Sequence, residues 1–366
     1  MIRRVRNFLG QWVGGTSASS REPRIDVSPI IDVPFPTIDL TQTTDPIPAI
    51  LASSDFALTC NFFANSAAAA RSLVSAVSQA LLFTVIRNQQ PAHVVEIGTF
   101  RGGTTEAMSR AVLANGSGAI HTIGPFDVQL FPPVFSHWPA GLRAAVSFYP
   151  VDSMAFFMEM ERRRIRPGLV FVDGNHDYEF ALFDIQCAAR RLIPRGFIFV
   201  DNVAQAGPYF SAADFLERNP GWVECGHGSR PRDRTKAFDR FRSSIPGTEF
   251  MVLRAPASYI VGERPRSFGE TLWAKPQVMG LRLSMEGQQS SGTLYTQCIL
   301  RGFTNTEQAE VSAEACQKIG AGTCDVEMLF EKPAALDSVF SHYRVEPWLT
   351  WLGDGPLRLS DVPVVI

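Results

Sequence analysis

Between His93 and Thr105 the chain reads HVVEIGTFRGGTT. An apolar run that carries an acidic residue near its end, breaks into glycines and then takes up helical periodicity leaves one local geometry: a strand, a tight turn and a helix start. Val94, Val95 and Ile97 suit a buried strand, while Gly98, Gly102 and Gly103 admit backbone angles and close approaches that side chains forbid. Thr104 and Thr105 open a helix expected to run to about Leu113. In an open α/β sheet a loop of this kind, at the carboxyl end of a strand and feeding a helix amino terminus, is where ligands bind. The dinucleotide fingerprint requires G-x-G-x-x-G, whereas Glu96 to Thr104 reads E-x-G-x-x-x-G-x-T, so a nicotinamide dinucleotide is disfavoured.

The rest of the chain is organised around that stretch. Residues 14 to about 60 are rich in Ser, Thr, Pro and Asp and read as an extended arm, so residues 1–60 are set apart. Asn61 to Asn88 reads as helical. Further strands follow at Ala119 to Ile123, Ala145 to Val151, Leu169 to Asp173 and Phe197 to Asp201, with helical patterns between them, notably Met154 to Arg164 and Glu179 to Leu192. Trp222 to Cys225 and Phe250 to Leu253 supply two late strands. The expected α/β unit over 61–262 is therefore a doubly wound, mostly parallel sheet. From about Glu263 the helical periodicity fades into short alternating runs at Met279 to Met285, Leu294 to Leu300, Asp325 to Phe330, Val339 to Val345 and Leu357 to Leu359. This reads as an all-β sandwich over 263–366.

Composition narrows the function classes. A net charge of −2 gives no global pull toward nucleic acid or anionic membrane, and no run reaches the length of a transmembrane helix. The start, MIRRVRNFLGQWVGG, lacks the unbroken apolar segment of a secretory signal, so a cytoplasmic location is expected. A frayed terminus and a weak basic amphipathic anchor both fit it. The six cysteines show no zinc-ligand spacing and read as free thiols, although Cys316 and Cys324 stand close enough in sequence to bridge. Residues Arg301 to Ile366 carry five basic and ten acidic side chains, so any partner of this region meets an acidic surface.

Chemistry concentrates at two further strand ends. LVFVDGNHDYE places Asp173 at the end of one strand, and FIFVDNV places Asp201 and Asn202 at the end of the next. Neighbouring strands lie ~5 Å apart, so these three side chains can converge on one hard cation such as Mg²⁺. Asp173 as a turn residue and Asp201-Asn202 as a helix cap are the structural alternatives. His176, three residues beyond Asp173, can accept a proton or orient a carboxylate.

The run from Glu96 to Thr104 resembles the first motif of class I S-adenosylmethionine-dependent methyltransferases. Asp173-Gly174-x-His176-x-Tyr178 with Asp201-Asn202 resembles the metal-dependent O-methyltransferase branch, both its catechol-type site and its bacterial sugar and macrolide members. That resemblance implies a seven-stranded Rossmann-like sheet and a loop that wraps the methionine part of S-adenosylmethionine. It assigns Glu96, Gly98, Thr99, Gly102 and Thr104 to that loop, with Asp152 and Ser153 beside the adenine. It also implies Asp173, Asp201 and Asn202 as ligands to Mg²⁺ or another divalent cation, and His176 as the general base. The expected reaction is methyl transfer to a metal-bound hydroxyl of a sugar or related small polar acceptor, with homo-oligomerisation left open. The resemblance covers about residues 90 to 255.

One feature departs from that pattern. The family ends its second strand with an acid that holds the ribose hydroxyls, and here the position is Gly124, with Asp127 three residues on as the replacement. Loss of that acid makes a non-catalytic scaffold, with a glycan- or partner-binding β domain, the competing reading. Arg230, Arg232, Arg234, Lys236, Arg240 and Arg242 form a basic stretch that reads as a solvated loop or as a clamp for a phosphorylated or acidic acceptor.

Overall fold

The computed structural model describes residues 33–66, 72–226, 243–274, 279–287, 290–303, 308–331, 340 and 342–366. The basic stretch from Arg230 to Arg242 and the alanine run Ala67 to Ala70 lie outside the described residues. No helix among the described residues is long and apolar enough to cross a membrane.

The first departure from expectation falls in the arm. Residues 33–60 are not simply extended: α1 (Ile47–Leu51) and α2 (Ser54–Ala64) fold within and just beyond them. The Ser53 hydroxyl caps α2 by accepting from the Asp55 N–H at 3.2 Å, and Ile47, Ile50, Phe56 and Phe63 are buried. Proline density signalled a linker, but these apolar residues have a core to join. Arg254 pins the segment from the other side, its guanidinium donating to the carbonyls of Leu40 and Thr43.

After α3 (Ala76–Gln89) the alternation of strand and helix is regular. β1 (His93–Ile97) leads through α4 (Gly103–Asn115) to β2 (Ala119–Ile123), and the short helices α5 (Phe131–Phe135) and α6 (Ala140–Ala144) lead to β3 (Val146–Tyr149). Next come α7 (Ser153–Arg163), β4 (Leu169–Val172), α8 (Tyr178–Arg191), β5 (Phe197–Val200) and α9 (Ala206–Arg218), then β6 (Val223–Cys225) and β7 (Met251–Arg254). The seven strands form one sheet in the order β3-β2-β1-β4-β5-β7-β6; β1 to β5 pair in parallel, and β7 runs antiparallel to both its neighbours. Successive residues of a strand face opposite sides. Val94, Phe171 and Phe199 accordingly enter a core with α1 to α4, while Val95, Val170 and Ile198 enter a second core with α7 to α9. Both faces are covered, which is why these strands read as unbroken apolar runs. The order reverses between β1 and β4, and ligands of open sheets bind outside the carboxyl ends at such a point.

The remaining strands are antiparallel and share a third core. They are β8 (Tyr259–Val261), β9 (Arg266–Ser267), β10 (Thr271–Ala274), β11 (Met279–Ser284), β12 (Gly292–Phe303), β13 (Gln308–Ile319), β14 (Asp325–Phe330), β15 (His342–Gly353), β16 (Leu357–Leu359) and β17 (Val364–Val365). One sheet runs β10-β15-β12-β13 with β9 on β15, another β14-β11-β17, and β16 pairs β8. Leu281 and Leu283 from the three-stranded sheet meet Leu294, Leu300 and Leu349 from the larger one in that core, the layering of a sandwich. β13 was not expected. Its sequence QAEVSAEACQKI buries small or weakly apolar residues, and its twelve-residue register with β12 defines it. The β region joins the α/β unit through Leu272 of β10, which enters the second core, and through the Arg166–Asp361 ion pair.

Candidate functional site

Gly98 terminates β1 with φ near 100°, and its N–H donates to the Ile123 carbonyl at 2.8 Å, prolonging the pairing with β2. A Cβ there would overlap the carbonyl oxygen of Asp173 at the end of β4, so the absence of a side chain lets the two strand ends close on each other. Gly102, at φ 75°, turns the chain into α4, and a Cβ there would enter the Phe131 ring. Between them Phe100 adopts φ 49°, a left-handed conformation that costs a non-glycine residue ~1–3 kcal/mol. Its N–H donates to Asp127 Oδ2 at 2.9 Å.

Beneath this turn Glu96 has no solvent exposure. Its Oε2 accepts from the hydroxyls of Thr105 at 2.5 Å and Thr122 at 2.6 Å, and Thr99 joins Thr122 at 2.7 Å. Burial pushes the carboxyl up to about 8; the two hydroxyl donors oppose the rise and the charges of Asp173 and Asp127 add to it. The motif acid is therefore a buried strut that ties the turn to α4 and β2. Thr104 contacts the Ser72 hydroxyl at 3.0 Å. Thr122 was not singled out from sequence; the register of β1 on β2, which sets it opposite Glu96, brings it in.

Asp127 lies against Gly124: a Cβ at 124 would overlap its carboxylate. Glycine at 124 is what leaves room for it.

The strand ends of β4 and β5 lie next to each other. The Asp173 N–H donates to the Ile97 carbonyl at 2.8 Å and the Asp201 N–H to the Val172 carbonyl at 3.0 Å, which sets the two residues side by side. Their carboxyl groups lie close enough to act on each other. Both are held above the usual carboxylate range, chiefly by burial, and for Asp201 also by the charge of Asp173. Asp201 Oδ1 is buried without a hydrogen-bond partner. Two clustered carboxyls with an unpaired oxygen suit either a shared proton or a hard cation. Asn202 follows at φ 54°, a left-handed position that asparagine tolerates better than most residues. Among the described residues no group of three or more His, Cys, Asp or Glu is arranged to hold a metal ion.

His176 Nε2 lies 3.4 Å from Asp173 Oδ1, and both side chains are partly exposed. The His176 loop rests on the start of α9, where a Cβ on Gly207 would meet the His176 carbonyl. The Tyr178 hydroxyl donates to Asp214 Oδ2 at 2.7 Å and ties α8 to α9. Asp152 caps α7 by accepting from the Ala155 N–H at 2.8 Å and is exposed. Asp184 of α8 is buried, and that burial pushes its carboxyl up to about 7. A helix-period pattern cannot tell a strand-facing acid from a solvent-facing one when both neighbours are apolar.

Exposed apolar side chains ring these strand ends. Phe100 follows β1, Phe126, Val128 and Leu130 follow β2, Met154 follows β3 and Phe180 starts α8; Phe126 is 89% exposed.

Comparison with known proteins gives these observations a context. No curated protein matches the chain. Among solved structures, an O-methyltransferase from Bacillus cereus in complex with SAH aligns over 57% of this chain and 94% of its own at 15% identity and a TM-score of 0.37. The O-methyltransferase TomG from Streptomyces achromogenes, in complex with SAM, aligns over 61% and 91% at 17% identity and a TM-score of 0.36. With TM-scores below 0.5 these are likenesses on which nothing further rests. Residues 95–203, which carry β1 to β5, the glycine turn, Asp127, Asp173 and Asp201, match the family model of a methyltransferase domain.

Proposed function

We propose that the crevice at the carboxyl ends of β1 to β5 transfers a methyl group from S-adenosylmethionine to a hydroxyl of a small acceptor, assisted by a divalent cation. The observation that carries this reading is the meeting of Asp173 and Asp201 next to the Gly98 turn, at the point where the strand order reverses.

When bound, S-adenosylmethionine supplies an electrophilic sulfonium methyl, and a divalent cation supplies Lewis acidity toward a neighbouring hydroxyl. The chain's own residues do the rest. Gly98 and Gly102 let the backbone approach the methionine part, with Thr99 and Thr104 along the same turn and Glu96 holding the turn from below. Asp127 presents a carboxylate to the ribose from the place left by Gly124, and the cap of α7 at Asp152 and Ser153 borders the adenine side. Asp173, Asp201 and Asn202 would hold the cation. His176, beside Asp173, accepts the proton that the acceptor hydroxyl gives up as oxygen attacks carbon. The apolar rim of Phe100, Phe126 and Phe180 limits water and suits an acceptor whose sugar or other polar hydroxyl is attached to an apolar body.

Against the scaffold reading stands Asp127, whose carboxylate lies beside Gly124 and could serve in place of the acid whose absence suggested it. Calorimetry with S-adenosylmethionine, with and without Mg²⁺, tests the proposal: binding is expected in both conditions and tighter acceptor binding with the metal. Absence of cofactor binding in either condition overturns it. His176→Ala is expected to lower kcat ~10²–10⁴-fold with cofactor affinity unchanged.

A further inference from the structure

The outer face of the larger β sheet carries a groove of about 440 Å³ that the methyl-transfer reading does not use. Its floor is fixed by strand register. Trp348 of β15, Gln297 of β12 and Glu314 of β13 stand abreast in one row, and Thr350, Tyr295 and Cys316 stand abreast in the next. Alternation sends Leu294, Cys298 and Leu349 to the core on the other side, so these six side chains share the solvent face. Tyr295 is 44% exposed, an unusual place for an aromatic ring in a sheet whose core already holds Trp351 and Tyr343.

The groove's chemistry is specific. An indole and a phenol ring sit on diagonal neighbours, within reach of one ligand. Beside them the Gln297 amide donates to Glu314 Oε1 at 2.9 Å, a planar amide–carboxylate pair with further donors and acceptors facing solvent. The Trp348 indole N–H is buried with no acceptor among the described residues. Apolar ring faces next to paired amide, carboxylate and hydroxyl groups match the two aspects of a pyranose, whose C–H face stacks on aromatic rings and whose equatorial hydroxyls bond in the ring plane. Among the described residues no basic side chain lines this groove itself, where a nucleic acid or an anionic headgroup would need one. Trp348 and Pro265 also line an adjoining cavity of about 890 Å³ against Gln186, Arg218 and Arg266, so the surface is long enough for several sugar units in a row.

We propose that the Tyr295–Trp348 face of the β domain binds an oligosaccharide and anchors the protein on a glycan. The site is separate from the crevice. The start of α9 touches the His176 loop and its end, at Glu217 and Arg218, lines the adjoining cavity, so the two sites stand roughly one helix length apart, ~20 Å for thirteen residues. The face therefore recruits a glycan without presenting it for methylation.

The test uses the full chain without S-adenosylmethionine, so its outcome is independent of the crevice. The probes are immobilised glucan, mannan, galactan, xylan and polyuronate oligosaccharides. Retention on at least one series is expected, weakened about tenfold by Tyr295→Ala and by Trp348→Ala and largely kept by Tyr295→Phe. Because Tyr295 is exposed, its alanine variant should melt with wild type, which separates lost binding from lost folding. Failure of every series to bind, equal retention of wild type and Tyr295→Ala, or a chain dimer that Tyr295→Ala dissociates would each overturn the assignment.

Discussion

Replacing Glu96 by glutamine should stabilise the protein at neutral pH. The carboxyl is fully buried, and burial pushes it from an ordinary 4.5 up to about 8. With the folded value above the unfolded one, the unfolded chain releases this proton first as pH rises. The contribution of the neutral acid is complete below pH 4.5, declines through the interval up to about 8, and falls no further above it. At pH 7 about 2.5 units of that interval have been crossed, worth about 3 kcal/mol at ~1.4 kcal/mol per unit. Glutamine keeps the shape, accepts from Thr105 and Thr122 through its amide oxygen, and carries no charge to desolvate. For a unit of this size ~1 kcal/mol moves Tm by ~2–4 °C, so Glu96→Gln should melt ~6–12 °C above wild type at pH 7. The two should melt together near pH 4.5. Thermal unfolding of both proteins followed by near-ultraviolet circular dichroism across that range measures the difference directly. Melting curves that shift in parallel, with no growing gap toward neutral pH, would refute the reasoning.

Other outcomes follow from the same geometry. Gly98→Ala forces a Cβ into the Asp173 carbonyl at a left-handed φ, and a loss of ~1–3 kcal/mol is expected by thermal or denaturant unfolding. Asp127→Ala should weaken S-adenosylmethionine binding at least ~10-fold, about the worth of a hydrogen bond to a charged group, and the double variant Gly124→Asp, Asp127→Ala should recover most of it in calorimetry. Recovery would show that the place of the carboxylate, rather than its residue number, is what the cofactor reads. Arg190 is 2% exposed with both terminal guanidinium nitrogens lacking partners, and burial lowers its pKa to about 10. Arg190→Met should therefore leave Tm unchanged or raise it, since a buried cation without good pairing costs more than an apolar side chain of similar length.

The local rules of this chain were legible without coordinates. Strand ends at Glu96, Asp173 and Asp201 were visible because both faces of the sheet are covered, which turns each strand into an apolar run closed by a polar residue. Helix α2 and strand β13 were not legible, for opposite reasons. The prolines and serines that precede α2 masked the apolar residues of the first, and in β13 small side chains blurred an alternation that only pairing with β12 reveals.

What the sequence by itself determined is the set of elements and the type of residue at each strand tip, since backbone propensity and the period of burial are properties of neighbours along the chain. Which of those tips meet was a tertiary matter. Strand order puts β1 beside β4 and β4 beside β5, and that adjacency lets Gly98 receive the Asp173 carbonyl and lets two carboxyls share one space. The exchange of Gly124 for Asp127 belongs to the same class: a turn of three residues carries a carboxylate back to a vacancy, and no reading along the chain measures where a turn returns.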